Sequence, residues 1–330
     1  MRSVIKYKIK NYLPKKFWKL LSDIVSPKRI EQYNEKSYCF GPKNPDVKIL
    51  IIRRRPPAAG LFSNVYHVLQ GIIYASEANM VPVVDMKNYS TEYSTFRKFN
   101  GSNNAWEYFF EPISNVNLKN AYRSKHVTLS KGNRIIWKKN FGGRNLDFAN
   151  DKDSVRLLKL IYNKYIKLNT MMNEYMDYVA QEFEIESKET LGIFLRGNHY
   201  ISHPEDGHAK QPKIEDVLRD VDEYLNSYAI SKIFLSTDDF SFRTILKNRY
   251  NDLMYPNIRI DNQSLFSSRT KKIFKIPNLV LARNISYLSE IYFLSRFDFN
   301  IASLSNGSAI LQLINNEDFK KNIIYNLGYN

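Results

Sequence analysis

Apolar and polar positions are grouped along the chain in blocks that predict strands and helices in turn. Residues 47–52 form an uninterrupted apolar run, typical of a buried strand, which three arginines and two prolines bring to an end. Apolar side chains then recur at helical spacing between residues 65 and 75, and Ser63 or Asn64 can cap that helix. A second short strand is predicted at residues 81–86. Strand, helix and strand in this order predict a βαβ unit and a parallel sheet.

The second half of the chain repeats this alternation. Its apolar pattern predicts, in order, a strand at 190–197, a helix at 212–229, a strand at 232–239, a helix at 240–250 and further short elements from 257 to 315. Between the halves, one long helix is predicted at about 151–183, and residues 184–190 interrupt the pattern. We therefore predict an α/β fold with two Rossmann-like domains, at 47–183 and 190–330, after a basic arm at 1–46.

Composition supports a folded protein with an anionic partner. The chain has 330 residues, 43% of them hydrophobic and 25% charged, which is typical of globular rather than disordered proteins. Cys39 is the only cysteine, which excludes an intramolecular disulfide and a cysteine-based metal cluster and fits a reducing, cytoplasmic compartment. The formal net charge of +16 predicts binding to a nucleic acid, a phosphorylated small molecule or an acidic membrane surface.

Much of this charge lies in residues 1–29, where nine lysines and arginines stand among apolar and aromatic side chains. Such a segment suits a helix lying in the headgroup region of an anionic membrane, with Trp18 at the interface. A solvated basic arm or a docked surface helix is the alternative. The sequence shows no signal-peptide pattern and no apolar run of the ~20 residues that a membrane span needs. These features predict a cytoplasmic protein that is peripheral at the inner face of the membrane.

Polar residues that could take part in binding or catalysis follow three of the predicted strands. Open parallel sheets bind ligands beyond the carboxyl ends of their strands. Arg196 is placed there to hold a diphosphate in a bidentate manner, and Gly197 would let the backbone approach the ligand. Asp238 and Asp239 end the next strand, where one can cap the following helix while the other accepts hydrogen bonds from a ribose or a base.

A serine-rich loop ends the third of these strands. Hydroxyls, a glycine and free helix amides could cradle a phosphate there, although an ordinary capping loop explains the same pattern. The residues concerned are Ser303, Ser305, Asn306, Gly307 and Ser308.

Acids and histidines crowd the segment after Arg196. Glu205, Asp206 and His208 offer a general base or a pair that orients a hydroxyl. A zinc site made of His199, His203 and His208 is disfavoured, because no helical register or HExxH pattern supports it. We therefore predict no metal site.

The succession "FLRGNHY … GHAKQP", "IFLSTDD" and "ISYLSEIYFLSRFDFNIASLSNGSA" resembles the fucosyltransferase superfamily, which contains α-1,6-fucosyltransferases, nodulation-type fucosyltransferases and protein O-fucosyltransferases. The segments "GLFSNVYHVLQGIIYASEANMVPVVDM" and "NNAWEYFFEP" resemble bacterial glycan-biosynthesis members. The resemblance covers about residues 47–330. It implies a GT-B-like architecture, GDP-fucose as donor, inverting transfer and no metal or other cofactor.

The same resemblance implies roles for individual residues. Arg196 would hold the donor β-phosphate, Glu290 would contact the nucleotide, and the loop 305–307 would bind phosphate. The acceptor base would be Glu205 or Asp206, ahead of His208. Phe194, Gly197 and His199 stand where the family has His, a frequent second Arg and Asp, so the resemblance implies a GDP-sugar or another nucleoside-diphosphate sugar more firmly than fucose.

These observations predict a glycosyltransferase that acts on a surface polysaccharide or a lipid-linked glycan, with its basic arm on an anionic membrane. The first alternative is a nucleic-acid-binding protein, but no recognition motif is present and the basic residues outside the arm are scattered, so no nucleic-acid partner is predicted. The second alternative is a non-catalytic protein that binds a sugar nucleotide.

Overall fold

Two four-stranded sheets with helices around them form the described part of the chain. The computed structural model describes residues 35–55, 60–132, 146, 151–186, 188–197, 201, 208–260, 264–315 and 319–330. Both sheets contain parallel strands, so the predicted α/β class with parallel sheets is confirmed. The basic segment 1–29 lies outside the described residues.

The first sheet contains the predicted βαβ unit. Its strands are β1 (Lys36–Tyr38), β2 (Lys43–Ile52), β3 (Val81–Val84) and β4 (Ser124–Leu129), in the order β1-β4-β2-β3. β2 pairs in parallel with β3 and β4, whereas β1 is antiparallel to β4 at the edge. Helix α1 (Leu61–Glu77) joins β2 to β3. The residues 36–38 and 43–46 of the predicted arm thus belong to this sheet.

The helices that follow correct one prediction. After a 3-10 helix (Ala105–Tyr108) and the short α2 (Leu118–Ala121), two helices, α3 (Lys152–Tyr165) and α4 (Thr170–Glu182), replace the single helix expected at 151–183. Asn169 separates them, because its side-chain oxygen accepts a hydrogen bond from the backbone N–H of Met172 at 2.9 Å and caps α4. Capping residues of this kind begin a new helix rather than continue an old one.

The second sheet is parallel throughout. Its strands are β5 (Thr190–Leu195), β6 (Lys232–Thr237), β7 (Phe299–Ser303) and β8 (Lys321–Tyr325), in the order β6-β5-β7-β8. The helices are α5 (Ile214–Ser227), α6 (Phe240–Tyr250), α7 (Leu265–Ile273), α8 (Leu279–Leu294) and α9 (Asn306–Ile314). A 3-10 turn (Asn251–Leu253) follows α6.

The two sheets share one apolar core. Helices α8 and α9 of the second half pack against α1, α3 and α4 of the first half. Tyr162 on α3 and Tyr292 on α8 are joined by a hydrogen bond of 3.0 Å between their hydroxyls, and the rings of Phe62 and Tyr287 meet edge-on with centroids 4.8 Å apart. This packing brings the start of α1 close to the carboxyl ends of β5 and β6. The domain limits at 183 and 190 stay a prediction.

Candidate functional site

A cavity of about 670 Å³ lies where the second sheet ends and α1 begins. Cavities that bind small molecules usually measure about 300–1,000 Å³. It has two walls, which come from different halves of the chain. The N-terminal wall is formed by Gly60, Leu61 and Glu92. The C-terminal wall follows the ends of β5 and β6 and one face of α8, and it carries Phe194, Phe240 and Tyr287 as its aromatic side chains.

Four guanidinium groups make the C-terminal wall cationic. They belong to Arg196, Arg243, Arg259 and Arg283. Three carboxylates also line the cavity, those of Glu92, Asp238 and Asp239. One guanidinium group can donate two parallel hydrogen bonds to the oxygens of a phosphate, and the faces of aromatic side chains can pack against planar bases. The cavity therefore suits a ligand that combines a diphosphate with an aromatic ring.

Arg196 lies where the sequence predicts it, directly after β5. Its backbone N–H donates to the hydroxyl of Ser303 at 3.0 Å, which joins the ends of β5 and β7. Its side chain, 26% exposed, lines the cavity with Nη1 4.0 Å from Oδ2 of Asp238. Arg196 is thus adjacent to the serine-rich loop through its backbone, while its guanidinium group lies beside Asp238.

Gly197 has a steric reason to be glycine. A Cβ atom at this position would lie 2.4 Å from Cβ of Asp239, a distance that real Cβ contacts do not reach. The backbone N–H of Gly197 instead donates to Oδ1 of Asp238 at 3.2 Å. Asp238 therefore stabilises the turn after β5 and lies beside the guanidinium group of Arg196.

Asp239 takes the helix-capping role that the sequence suggested for one of the two aspartates, and the role of Asp238 toward a ribose or a base stays a prediction. Asp239 caps α6, since its Oδ1 accepts hydrogen bonds from the backbone N–H groups of Ser241 at 2.8 Å and Phe242 at 3.1 Å. Asp238 is 43% exposed at its side chain and faces the cavity. Only Asp238 therefore has a carboxylate that is not committed to a helix cap.

Glu290 lies behind the cavity wall rather than on it. Its side chain is 1% exposed, it accepts a hydrogen bond from the hydroxyl of Ser236 at 2.6 Å, and it forms an ion pair with Arg259 whose Nε lies 3.0 Å from Oε1. Although burial opposes it, the Glu290 carboxylate raises the pKa of Arg259. Glu290 is thus placed to orient Arg259, which lines the cavity and stacks 5.5 Å from the ring centre of Tyr287.

Arg259 is a site residue that the sequence analysis missed. The segment 257–262 was expected to continue the strand and helix alternation, yet the described residues 257–260 form no strand. The available signal was an arginine between two isoleucines, Ile258 and Ile260, which are 3% and 1% exposed. The two buried neighbours anchor the backbone at Arg259, and the ion pair with Glu290 positions its guanidinium group.

The serine-rich loop forms a helix cap. The Ser305 hydroxyl accepts from the N–H of Ser308 at 3.3 Å, and the Ser308 hydroxyl accepts from the N–H of Ser305 at 2.9 Å. The Ser303 hydroxyl is occupied by the N–H of Arg196. A Cβ atom at Gly307 would lie 2.5 Å from the Tyr287 hydroxyl and 2.9 Å from the Phe194 ring.

This geometry matches the capping alternative, because the hydroxyls of the loop already bind backbone groups. Asn306 begins α9 as its first residue. None of the residues 303–308 lines the cavity, whereas Phe194 and Tyr287, which pack on Gly307, do. The loop supports the aromatic part of the wall from behind. Its role as a phosphate cradle stays a prediction.

The predicted base lies in a part of the chain that the structure does not describe. Residues 198–200 and 202–207 are outside the described ranges, and they include Glu205, Asp206 and two of the three clustered histidines. His208 is described and exposed, and its carbonyl oxygen accepts a hydrogen bond from the N–H of Asn330 at 3.0 Å. Across the described ranges, no group of three His, Cys, Asp or Glu side chains is arranged to hold a metal ion.

Glu92 is the second site residue that the sequence analysis missed. It follows no predicted strand and belongs to the irregular region between β3 and α2. Its side chain is half-buried and lies in the cavity together with the side-chain amide of Asn284 on α8. Burial raises the pKa of Glu92, and the Asn284 hydrogen bond opposes that rise. Nothing in the local sequence distinguishes this glutamate from the others, so only the fold identifies it.

Comparison with solved structures finds fucosyltransferases. An α-1,6-fucosyltransferase, NodZ, soaked with GDP-fucose matches with a TM-score of 0.47 and 14% identity over 82% of this chain and 93% of that one. NodZ from Bradyrhizobium matches with a TM-score of 0.45 and 14% identity, over 82% and 93%. A mutant of Arabidopsis thaliana FUT1 in complex with GDP matches with a TM-score of 0.44 and 11% identity, over 91% and 76%.

No protein-family model matches the sequence, and no curated protein matches it. The solved structures that match belong to the superfamily that the sequence motifs resemble.

Proposed function

We propose that this protein is a glycosyltransferase that moves a sugar, fucose from GDP-fucose in the first instance, to a hydroxyl of a surface glycan or a lipid-linked oligosaccharide. In this proposal the transfer inverts the anomeric centre and needs no metal. The two sheets are the Rossmann-like halves of a GT-B-like enzyme, and the donor occupies the cavity between them. The donor and the mechanism come from the sequence resemblance, and the cavity supplies the chemical support.

The observation that carries the proposal is the set of four arginines that line one cavity at the carboxyl ends of β5 and β6. A nucleoside diphosphate carries two or three negative charges. Several cationic hydrogen-bond donors are needed to offset the hydration that it loses on binding. Arg259 is held in place by Glu290, so its orientation is set before a ligand arrives, and Arg196 lies 4.0 Å from Asp238. Such preorganised charge stabilises a leaving group more than flexible lysines would.

In the transfer, the bond between the anomeric carbon and the β-phosphate oxygen breaks while the acceptor oxygen bonds to that carbon. Negative charge grows on the departing diphosphate. Arg196 sits at the end of β5 with part of its guanidinium group exposed to the cavity, so we assign it to the β-phosphate. Losing one such donor typically costs about 10²–10³ in rate.

The test is transfer and hydrolysis with a panel of nucleoside-diphosphate sugars, comparing the wild type with Arg196→Ala. We expect GDP-fucose to be consumed by the wild type, and the variant to lose at least about 10²-fold with an unchanged circular dichroism spectrum. Arg156→Ala removes an exposed arginine on α3 and serves as the matched control. Near-normal turnover by Arg196→Ala contradicts the assignment, and GDP binding without turnover of any donor favours the non-catalytic alternative.

The proposal includes peripheral binding to anionic membranes through residues 1–29, on the strength of their nine basic side chains. No helix in the described ranges is long and apolar enough to cross a bilayer. Deleting residues 1–29 should weaken sedimentation with vesicles that contain anionic lipid, and it should leave donor hydrolysis unchanged. Equal sedimentation of the full chain and the deletion would contradict this role.

A further inference from the structure

Three carboxylates line the cavity, and they differ in the groups with which they already interact. Asp239 caps α6 through its Oδ1. Asp238 accepts from the N–H of Gly197 and lies 4.0 Å from the guanidinium group of Arg196. Among the described residues, the polar group found to act on the Glu92 carboxylate is a neutral one, the side-chain amide of Asn284. Proton transfer to a carboxylate is hindered when a cation or backbone N–H groups already stabilise its charge.

Glu92 also differs in its position. It belongs to the N-terminal wall, whereas all four cavity arginines belong to the C-terminal wall. A Cβ atom at Gly60, the residue before α1, would lie 3.9 Å from Oε1 of Glu92, so this carboxylate lies beside the opening of α1. If the diphosphate of the donor binds the arginines of the C-terminal wall, the N-terminal wall remains available for the acceptor hydroxyl that attacks the sugar.

We propose that Glu92 is the general base that takes the proton from the acceptor hydroxyl, an inference that rests on the function proposed above. The acceptor oxygen forms a bond to the anomeric carbon as the bond from that carbon to the β-phosphate oxygen breaks. The electron pair of the broken bond leaves with GDP, and the hydroxyl proton passes to a carboxylate oxygen of Glu92. The step needs no further reactant.

Asn284 on α8 lines the same cavity and is the neutral neighbour of Glu92. Its side-chain N–H donates to the carbonyl oxygen of Val280 at 2.9 Å within α8. Asn284 is 9% exposed, so its orientation is set by packing. Burial raises the pKa of Glu92, which brings its basicity closer to that of an efficient base near neutral pH.

The experiment compares Glu92→Gln with the wild type, using GDP-fucose as donor and water or azide as acceptor. Azide is already deprotonated and attacks the anomeric carbon without a base, whereas water needs one. We expect Glu92→Gln to bind GDP within about twofold of the wild type, to hydrolyse GDP-fucose about 10²–10⁴-fold more slowly, and to form fucosyl azide at the wild-type rate. Glu77→Gln makes the same change at an exposed position of α1 and is the matched control.

Each result decides between named possibilities. Hydrolysis by Glu92→Gln within threefold of the wild type overturns the assignment, and so does an equal loss of the water and azide reactions, which would mark a structural role. Loss of hydrolysis in Glu205→Gln or Asp206→Asn, with Glu92→Gln active, places the base in the segment after Arg196 instead. A wild type that binds GDP but consumes no GDP-fucose with either acceptor overturns the proposed function itself.

Discussion

The two walls of the cavity are stabilised in different ways. The C-terminal wall depends on ion pairs, chiefly the buried pair of Arg259 and Glu290. Behind the N-terminal wall lies a network of hydrogen bonds in which Arg54 donates to Asn64 at 3.0 Å, Asn64 donates to the Tyr93 hydroxyl at 3.1 Å, and Nε2 of His67 lies 3.0 Å from the carbonyl oxygen of Arg53. The C-terminal wall thus depends on both partners of a buried ion pair, whereas the network behind the N-terminal wall contains a buried histidine whose protonation is unfavourable.

The physical reason is the cost of burying charge. An arginine and a carboxylate that are buried together keep each other charged over a wide pH range, but either one alone is strongly unfavourable. A buried imidazole avoids this cost by staying neutral. Burial, together with the nearby Arg54, lowers the pKa of His67 to about 4.

The largest effect is expected for Arg259→Ala, which leaves the carboxylate of Glu290 buried without its cation. Breaking a buried pair in this way typically costs about 3–5 kcal/mol in the free energy of unfolding. Chemical denaturation followed by circular dichroism measures it, with exposed Arg156→Ala as the control, which should change stability by no more than about 0.5 kcal/mol. The double variant Arg259→Ala with Glu290→Gln should recover part of the loss. A single variant as stable as the wild type would show that the pair does not support this wall.

A smaller effect is expected from acid acting on His67. Because its folded-state pKa lies below the ordinary value of about 6.5, the unfolded chain binds the proton first as the pH falls. The stability contributed by the neutral imidazole is therefore complete above about pH 6.5 and is lost progressively down to the folded pKa of about 4. Between pH 7 and pH 5 this loss amounts to about 2 kcal/mol for His67 alone.

The measurement is the free energy of unfolding at pH 7 and pH 5 for the wild type and His67→Gln. The variant starts lower at pH 7 but should lose about 2 kcal/mol less than the wild type on acidification. His126→Gln, which removes an exposed imidazole from β4, should keep the wild-type pH dependence. Parallel pH profiles for the wild type and His67→Gln would show that this histidine is not the acid-sensitive group.

Much of the fold could be predicted because its signals are local. The apolar run of β2 and the helical spacing in α1 depend on neighbouring residues only, and the predicted bounds of α6, 240–250, agree with the structure. The prediction of one helix at 151–183 was wrong because apolar spacing continues across Asn169, whereas a single cap interrupts the backbone. The edge strand β1 carries no buried side chain and therefore has no apolar pattern to detect.

The site could be predicted only in part. Arg196, Gly197 and Asp238 follow strands, and the rule for parallel sheets brings them together at one edge, as the structure does. Glu290 lies behind Arg259 in the structure, and its predicted contact with the nucleotide stays a prediction. A lone acid in a helix gives no sign of the cation it will meet, because that cation lies 31 residues away in the chain.

The sequence by itself determined the strand and helix alternation, the resemblance to fucosyltransferases and the arginine at the end of β5, since each depends on residues close together in the chain. The tertiary structure alone decided that Arg259 and Glu92 join that arginine around one cavity. It did so because α8 and α9 pack against the first half, which sets the start of α1 opposite the ends of β5 and β6. Contacts between distant segments depend on how whole faces pack, and no single stretch of sequence records them.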